Sequence, residues 1–565
     1  MRVLRSLVAV GLAGLVSLGV AQQAATVRVD LGRSQGPWKP ITNWFGYDEL
    51  NYTTTAHGGE LLRELAQTSP LPVYIRAHHL LTSGDGRSAL KWGSTNVYTV
   101  DAAGRAVYDF TIVDRTFDAW LAAGVRPMVE LGFMPEAMAS GTNAYYLAYP
   151  HTIEGSVQSP PKDYAAWGEL CRRLVAHLVE RYGAERVSTW YFEVWNEPNI
   201  PYWHGTEAEY LRLYDYAVAG VRSALPGARV GGPATTSPRS KQAAEFLDGF
   251  LKHVAKDRSA ATGGAVPLDF ISFHIKGSPT LVQEAGAVPH VRMGLDKELT
   301  DADRGFALIA GYPQFRALPI ILSEADPEGC AACSAKENPA NGYRNGPLYA
   351  AYTAATMKAL LELQDKYQVN LLGMLSWSFE FEGRAYFEGF RTLATNGVDK
   401  PVLNVFRMAG QMAGERVAAT SSAATSLDAL LREGAPAAEV DALATRQGSS
   451  ARVMLWSYRD DDVRDDDLQQ QPATAVTVEI AGLPKAARSV RVEAFTIDGT
   501  HSNAYARWLG MGSPQQPTAA QYAELKRAGG LQAQGGAMEL RASHGRVTVP
   551  ASLAGQATTL LRVIW

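Results

Sequence analysis

The chain is poor in cysteine, with three in 565 residues, and no second Cys or His pair stands at ligand spacing from Cys330-Ala331-Ala332-Cys333, which argues against a zinc site. Neither sign of charge is in large excess. Lys and Arg total 53 against 57 Asp and Glu, for a net charge of −4, and no basic block is available to follow a nucleic-acid backbone or a lipid surface. Beyond Val20 no apolar run is long enough to cross a bilayer, and there are no repeats other than an alternation of strands and helices. The N-terminus carries Arg2 and Arg5, then an apolar run to Val20 and a small residue, Ala21. That order predicts a signal peptide over 1–21 and a secreted or periplasmic chain with no membrane contact after cleavage; a retained anchor is the alternative. In such an oxidising compartment Cys330 and Cys333 are spaced to close a local disulfide, while Cys171, in line with Trp167, Leu174 and Leu178, reads as a buried thiol.

With 46% hydrophobic residues, the chain can fill a barrel-sized core and a second one. Short apolar runs at 41–45, 73–78, 126–133, 189–195, 228–234, 268–274, 319–324 and 371–379 alternate with amphipathic segments such as 163–182, 206–225 and 347–367. Eight such units predict an α/β fold, a (β/α)8 TIM barrel over 40–400, with chemistry at the C-terminal ends of the strands. From about 401 the pattern turns to period-two strands at 452–458, 475–480, 490–496 and 558–564, which predicts a C-terminal β-sandwich over 401–565. A strand at 24–32 precedes the barrel with no helix after it, and is expected to join that sandwich. The acidic run 460–467 reads as a solvated hairpin tip, with a bound calcium only the second reading because no Gly or terminal Glu completes a loop.

Two predicted strands end in a carboxyl group: the fourth in Asn196-Glu197-Pro198 and the seventh in Glu324. Paired carboxyls on one barrel face are what glycoside hydrolysis requires. An aromatic mouth of Trp190, Trp195, Tyr202 and Trp203 suits Glu197 as the proton donor and later base, and Arg76 or His274 would keep Glu324 ionised as the nucleophile. Asn196 is placed to bond the sugar 2-hydroxyl, His78 and His274 to reach other hydroxyls, and Trp377 to floor the sugar. The plain alternatives are buried ion pairs, a turn amide, satisfied core histidines and ordinary barrel core. The chemistry calls for no cofactor or metal. The partner is a glycoside or oligosaccharide, and no residue pattern speaks to oligomeric state.

Arg76-Ala77-His78, Glu130-Leu131-Gly132-Phe133-Met134-Pro135, Phe192-Glu193-Val194-Trp195-Asn196-Glu197-Pro198-Asn199 and Val230-Gly231-Gly232-Pro233-Ala234 occur in the order of the blocks of glycoside hydrolase family 39, the β-xylosidases and α-L-iduronidases. The chain resembles that family over 43–412. The resemblance implies a retaining, exo-acting glycosidase with Glu197 as acid/base and Glu324 as nucleophile. His274-Ile275-Lys276-Gly277 and Glu324-Ala325-Asp326-Pro327 look like the iduronidase branch, in which Lys276 and the arginine found here as Arg391 would contact a uronic carboxylate. If Glu380 or Glu382 neutralises Lys276 instead, the site takes a neutral sugar, as a β-xylosidase or a related enzyme does. A carbohydrate-binding barrel without turnover is the reading from another class.

Overall fold

The computed structural model describes residues 24–142, 157–283, 289–461 and 472–565. The expected leader and positions 462–467 of the acidic run lie outside the described residues. Eight parallel strands close a barrel in the order of the chain: Trp44–Tyr47, Tyr74–Ala77, Arg126–Leu131, Tyr191–Val194, Arg229–Thr235, Phe270–Lys276, Pro319–Asp326 and Asn370–Trp377. Each falls on a predicted run, because an apolar segment buried on both faces is what a barrel wall with an outer helical layer demands. The edges differ. Ile41 is buried, but its carbonyl accepts from Met374 ahead of the paired segment, so the first strand starts at Trp44. The eighth stops at Trp377, where the backbone turns to bridge Phe379 with Thr392.

Local chemistry sets the helix starts. Asp163 accepts from the N–H groups of Ala165 and Ala166 to open Tyr164–Tyr182, and Thr206 with Glu209 forms a capping box at the start of Glu207–Ala224. Among the described residues no helix is long and apolar enough to cross a membrane.

The C-terminal region forms one ten-stranded sheet whose two halves fold over a common core; Val453, Leu455, Leu561 and Val563 of one half share it with Val27, Val478 and Val549 of the other. The strand Ala25–Pro37 lies between Glu415–Ser421 and Ala473–Ala481. In the strand Ser450–Tyr458 both faces are buried: Val453 and Leu455 enter the sheet core, while Met454, Trp456 and Tyr458 join the barrel core beside the helix Leu348–Tyr367. The period of two thus welds the two regions. The start of the acidic run is no solvated tip: Asp460 is buried and accepts from the Tyr458 hydroxyl and the Leu295 N–H, and Asp461 pairs with Arg292 at 3.0 Å. Cys330 and Cys333 form a disulfide, and Cys171 is buried.

Replacing Leu455 by Ala should cost about 2–5 kcal/mol and lower Tm. Arg28→Ala, which removes a solvent-exposed pair with Glu479, should leave Tm within error of the parent.

Candidate active site

The polar groups at the barrel mouth come from strand ends in which charged or polar residues alternate: Arg76 and His78, His274 and Lys276, Glu324 and Asp326. Period-two alternation turns both members of each pair toward the barrel axis. Register then sets them side by side, with Glu324 opposite His274 and Asp326 opposite Lys276.

Asn196 and Glu197 sit just past the fourth strand on an unusual backbone. Trp195 and Glu197 take φ of +70° and +45°, the left-handed region that residues with a side chain seldom occupy. The Trp195 N–H donates to Leu131 and the Glu197 N–H to Ala234, at 3.2 and 2.9 Å, which holds the turn in place. His274 Nδ1 lies 2.8 Å from Glu197 Oε1 and 3.8 Å from Glu324 Oε1. Ligand atoms of Glu197, His274 and Glu324 all lie within 4.8 Å of one another. Such a trio can hold a cation, but here Lys276 Nζ stands 2.8 Å from Glu324 Oε2 and Arg76 Nη1 3.3 Å from Oε1, so positive charge is already supplied. Burial pushes the Glu324 carboxyl up, and the opposing charges of His274, Lys276 and Arg76 outweigh that and hold it well below the usual carboxylate range. The Glu197 side chain is 14% exposed and that of Glu324 7%, so Glu197 is the more open to solvent.

Arg76 is fully buried inside the barrel. It donates to Glu193 at 2.6 Å and to Asn196 Oδ1 at 2.9 Å, and lies 2.9 Å from Glu130. Because Arg76 takes the Asn196 oxygen, the amide nitrogen is left as a buried donor with no partner among the described residues. His274 Nε2 is likewise unpartnered. Burial and the neighbouring carboxylates raise Glu130 well above its ordinary range, although Arg76 opposes the shift; its Oε2 is 2.7 Å from His78 Nδ1. His78 Nε2 lies 3.6 Å from Glu324. The Trp377 ring stands 4.2 Å from that of His78, with the Arg76 guanidinium 5.0 Å from its centre.

The two remaining cations, Lys276 and Arg391, converge on one carboxylate, Asp326, and each has a second acidic partner. Lys276 Nζ also donates to Asp326 Oδ2 at 2.7 Å. Arg391, fully buried, donates to the Trp377 carbonyl and to Glu328 Oε1 at 3.0 and 2.5 Å, and stands 3.4 Å from Asp326. The alternative in which Glu380 or Glu382 neutralises Lys276 does not hold: the Glu380 carboxyl, raised to about 8 by burial, accepts from the Gly397 N–H, and Glu382 pairs with His57 at 3.2 Å. Both follow the point where the eighth strand turns away, which carries them off the barrel axis. Of the expected aromatic mouth, Tyr202 stacks on Phe133 beside His78 and Trp203 packs on Trp195, but Trp190 packs against Phe117 and Tyr182 in the helical layer.

Sequence reasoning passed over Glu130, Glu193, Asp326, Glu328 and Arg344 as functional residues. Glu130 and Glu193 had a signal, being carboxyls inside otherwise apolar strands, and they are register partners on adjacent strands. Asp326 repeats the inward position of Glu324 two residues on. Glu328 and Arg344 lie on loops, where no period applies.

Comparison with known proteins gives a match to the model for glycosyl hydrolases family 39 over residues 73–542. A β-xylosidase of Geobacillus stearothermophilus is 27% identical over 453 residues, 79% of this chain and 77% of the relative. An α-L-iduronidase of Canis lupus familiaris is 27% identical over 391 residues, 64% of this chain and 54% of the relative. The crystal structure of a monomeric β-xylosidase from Caulobacter crescentus superposes with a TM-score of 0.71 at 24% identity, over 95% of this chain and 99% of that one, a likeness of fold.

Lys276→Met removes a charge that lowers Glu324, so the Glu324 carboxyl should titrate at higher pH. The acidic limb of kcat/KM should then move to higher pH in the variant, measured on an aryl glycoside; a limb that stays in place would mean that Lys276 does not act on Glu324.

Proposed function

Because the chain belongs to glycosyl hydrolase family 39 and is a glycosidase hydrolysing O-glycosyl bonds, we propose that it is an exported, retaining, exo-acting enzyme that releases a neutral pyranose in the manner of a β-xylosidase. The separation of the carboxyl oxygens, within 4.8 Å, supports a double displacement, since inversion needs roughly 6.5–9.5 Å to admit a water. In the first step Glu324 attacks the anomeric carbon, the bond to the leaving oxygen breaks, and Glu197 gives that oxygen its proton. In the second Glu197 takes a proton from water, the water oxygen bonds to the anomeric carbon, and the Glu324 carboxylate departs. The unpartnered amide of Asn196 donates to the 2-hydroxyl, a bond that strengthens as the ring approaches an oxocarbenium ion. Trp377 floors the sugar.

The charge balance carries the choice of sugar. Arg76, Lys276, Arg391 and Arg344 face Glu193, Glu324, Asp326 and Glu328, and Glu130 is raised by burial toward its neutral form. Among the described residues each of these four cations has a carboxylate partner, so a uronic acid would bring a charge that none of them is free to meet. A uronide remains the second reading, favoured by one observation: Lys276 is 10% exposed beside Glu324, where a substrate carboxylate could compete for it. The leader-like segment 1–21 supports export.

A panel of aryl β-D-xylosides, α-L-iduronides, arabinosides and galactosides tests the reading, with the xyloside expected to turn over fastest. An iduronide preference would select the second reading, and no turnover of any of them would end both. Glu197→Gln should cost 10²-fold or more on poor leaving groups, roughly the scale of general acid catalysis, and much less on activated phenols.

A further inference from the structure

The charge sequence around Glu324 ends at a residue that the reaction scheme does not use. Glu328 lies two residues past the seventh strand, and its side chain is 16% exposed while the guanidiniums it binds, Arg344 and Arg391, are fully buried. It accepts from Arg344 Nη2 at 2.7 Å, from Arg391 Nη1 at 2.5 Å and from the Tyr343 hydroxyl. Arg344 gives other donors to the carbonyls of Cys330, Cys333 and Gly389. Arg391 keeps a bond to the Trp377 carbonyl and one to the Glu328 backbone carbonyl whatever side chain occupies position 328. Its Nη2 has no hydrogen-bond partner among the described residues and lies 3.4 Å from Asp326, the carboxylate that Lys276 bridges to Glu324. Of the two carboxylates that contact Arg391 among the described residues, Glu328 is the more open to solvent, its side chain 16% exposed against 0% for Asp326.

We infer that Glu328 is the specificity-determining residue that keeps uronic acids out of this site: its carboxylate takes the guanidinium pair that a substrate carboxylate would otherwise take, and its charge repels one. Xylose carries hydrogen where a uronic acid carries a carboxylate on C5, so only the uronic acid is affected by that charge. A residue that merely braced the disulfide loop would not discriminate between the two sugars. The inference rests on the neutral-sugar reading, and the two fail in different ways.

The test uses full-length wild type, Glu328→Gln and Glu328→Ala, with an aryl β-D-xyloside as substrate and D-xylose or D-glucuronate as competing inhibitor. Glucuronate should inhibit both variants at least roughly tenfold more tightly relative to xylose than it inhibits wild type. Millimolar formate, a free carboxylate able to refill the hole in Glu328→Ala, should reverse the gain in that variant. A glucuronate-to-xylose ratio within a factor of about two of wild type in the folded variants overturns the inference and leaves the xylosidase reading standing. Wild type that ignores the xyloside and hydrolyses an iduronide overturns that reading, and the inference with it. If Glu328→Ala does not fold, the isosteric Glu328→Gln decides alone.

Discussion

The structure depends on burying a row of charges without leaving any of them alone. From Arg344 through Glu328, Arg391, Asp326, Lys276, Glu324 and Arg76 to Glu193, each group meets one of opposite sign at 3.4 Å or less. Taking an ion out of water costs several kcal/mol even after relaxation, and removing one partner of a buried pair typically costs about 3–5 kcal/mol. Glu324, with only 7% of its side chain exposed, cannot be kept ionised without Lys276 and Arg76, and those cations cannot be buried without Asp326 and Glu193. Glu324 and the barrel interior thus form one electrostatic unit. Burial supplies the low dielectric that makes each charge effective, and the alternation makes burial tolerable.

Barrel geometry builds that row cheaply. A strand directs every second side chain inward, so one strand end contributes two groups to the axis, and parallel neighbours in register bring cation beside anion. Two irregularities adjust the result. The pairing slips at Ser323, between Leu322 and Glu324, and at Ala234, between Pro233 and Thr235. Each bulge inserts one residue and re-aims the side chains beyond it, a common device beside active sites. The first sets Glu324 level with His274. The second presents the Ala234 carbonyl, from a residue with φ of +52°, to the Glu197 N–H.

The eight barrel strands were legible because a wall buried on both sides needs an apolar run, and no other arrangement of those runs with their intervening amphipathic segments is as simple. Glu197 and Glu324 stood out because carboxyls at the ends of such runs are costly unless used. Pairing partners were not legible. Lys276 and Arg391 could be recognised as two cations, but that they share Asp326 depends on the register at positions 274–276 and on the course of the loop carrying Arg391, neither of which leaves a periodic trace. Trp190 was misplaced for a related reason: it sits before the paired segment Tyr191–Val194, where it turns into the helical layer and away from the mouth. Asp460 misled because its composition is that of a solvated tip, while its position beside Tyr458 puts it under the barrel helices.

The C-terminal region is part of the active-site scaffold and not an appendage. Between its late strands it sends out the helices Ala504–Gly510 and Ala519–Gly529, which dock on the loop after the eighth barrel strand. Phe387 of that loop packs on Tyr505 and Trp508, Tyr522 donates to the Asn396 carbonyl, and Lys526 donates to the Gly397 carbonyl and pairs with Glu60. The same loop carries Arg391, whose guanidinium must stand between Glu328 and Asp326 for the charge row to close. A loop running from 378 to 400 has few periodic contacts to fix its course, and the entropy of ordering it is large. Tertiary contacts from the two helices offset that cost. The barrel strands place the carboxyl pair; the position of Arg391 in the row depends as well on a segment more than a hundred residues away in sequence.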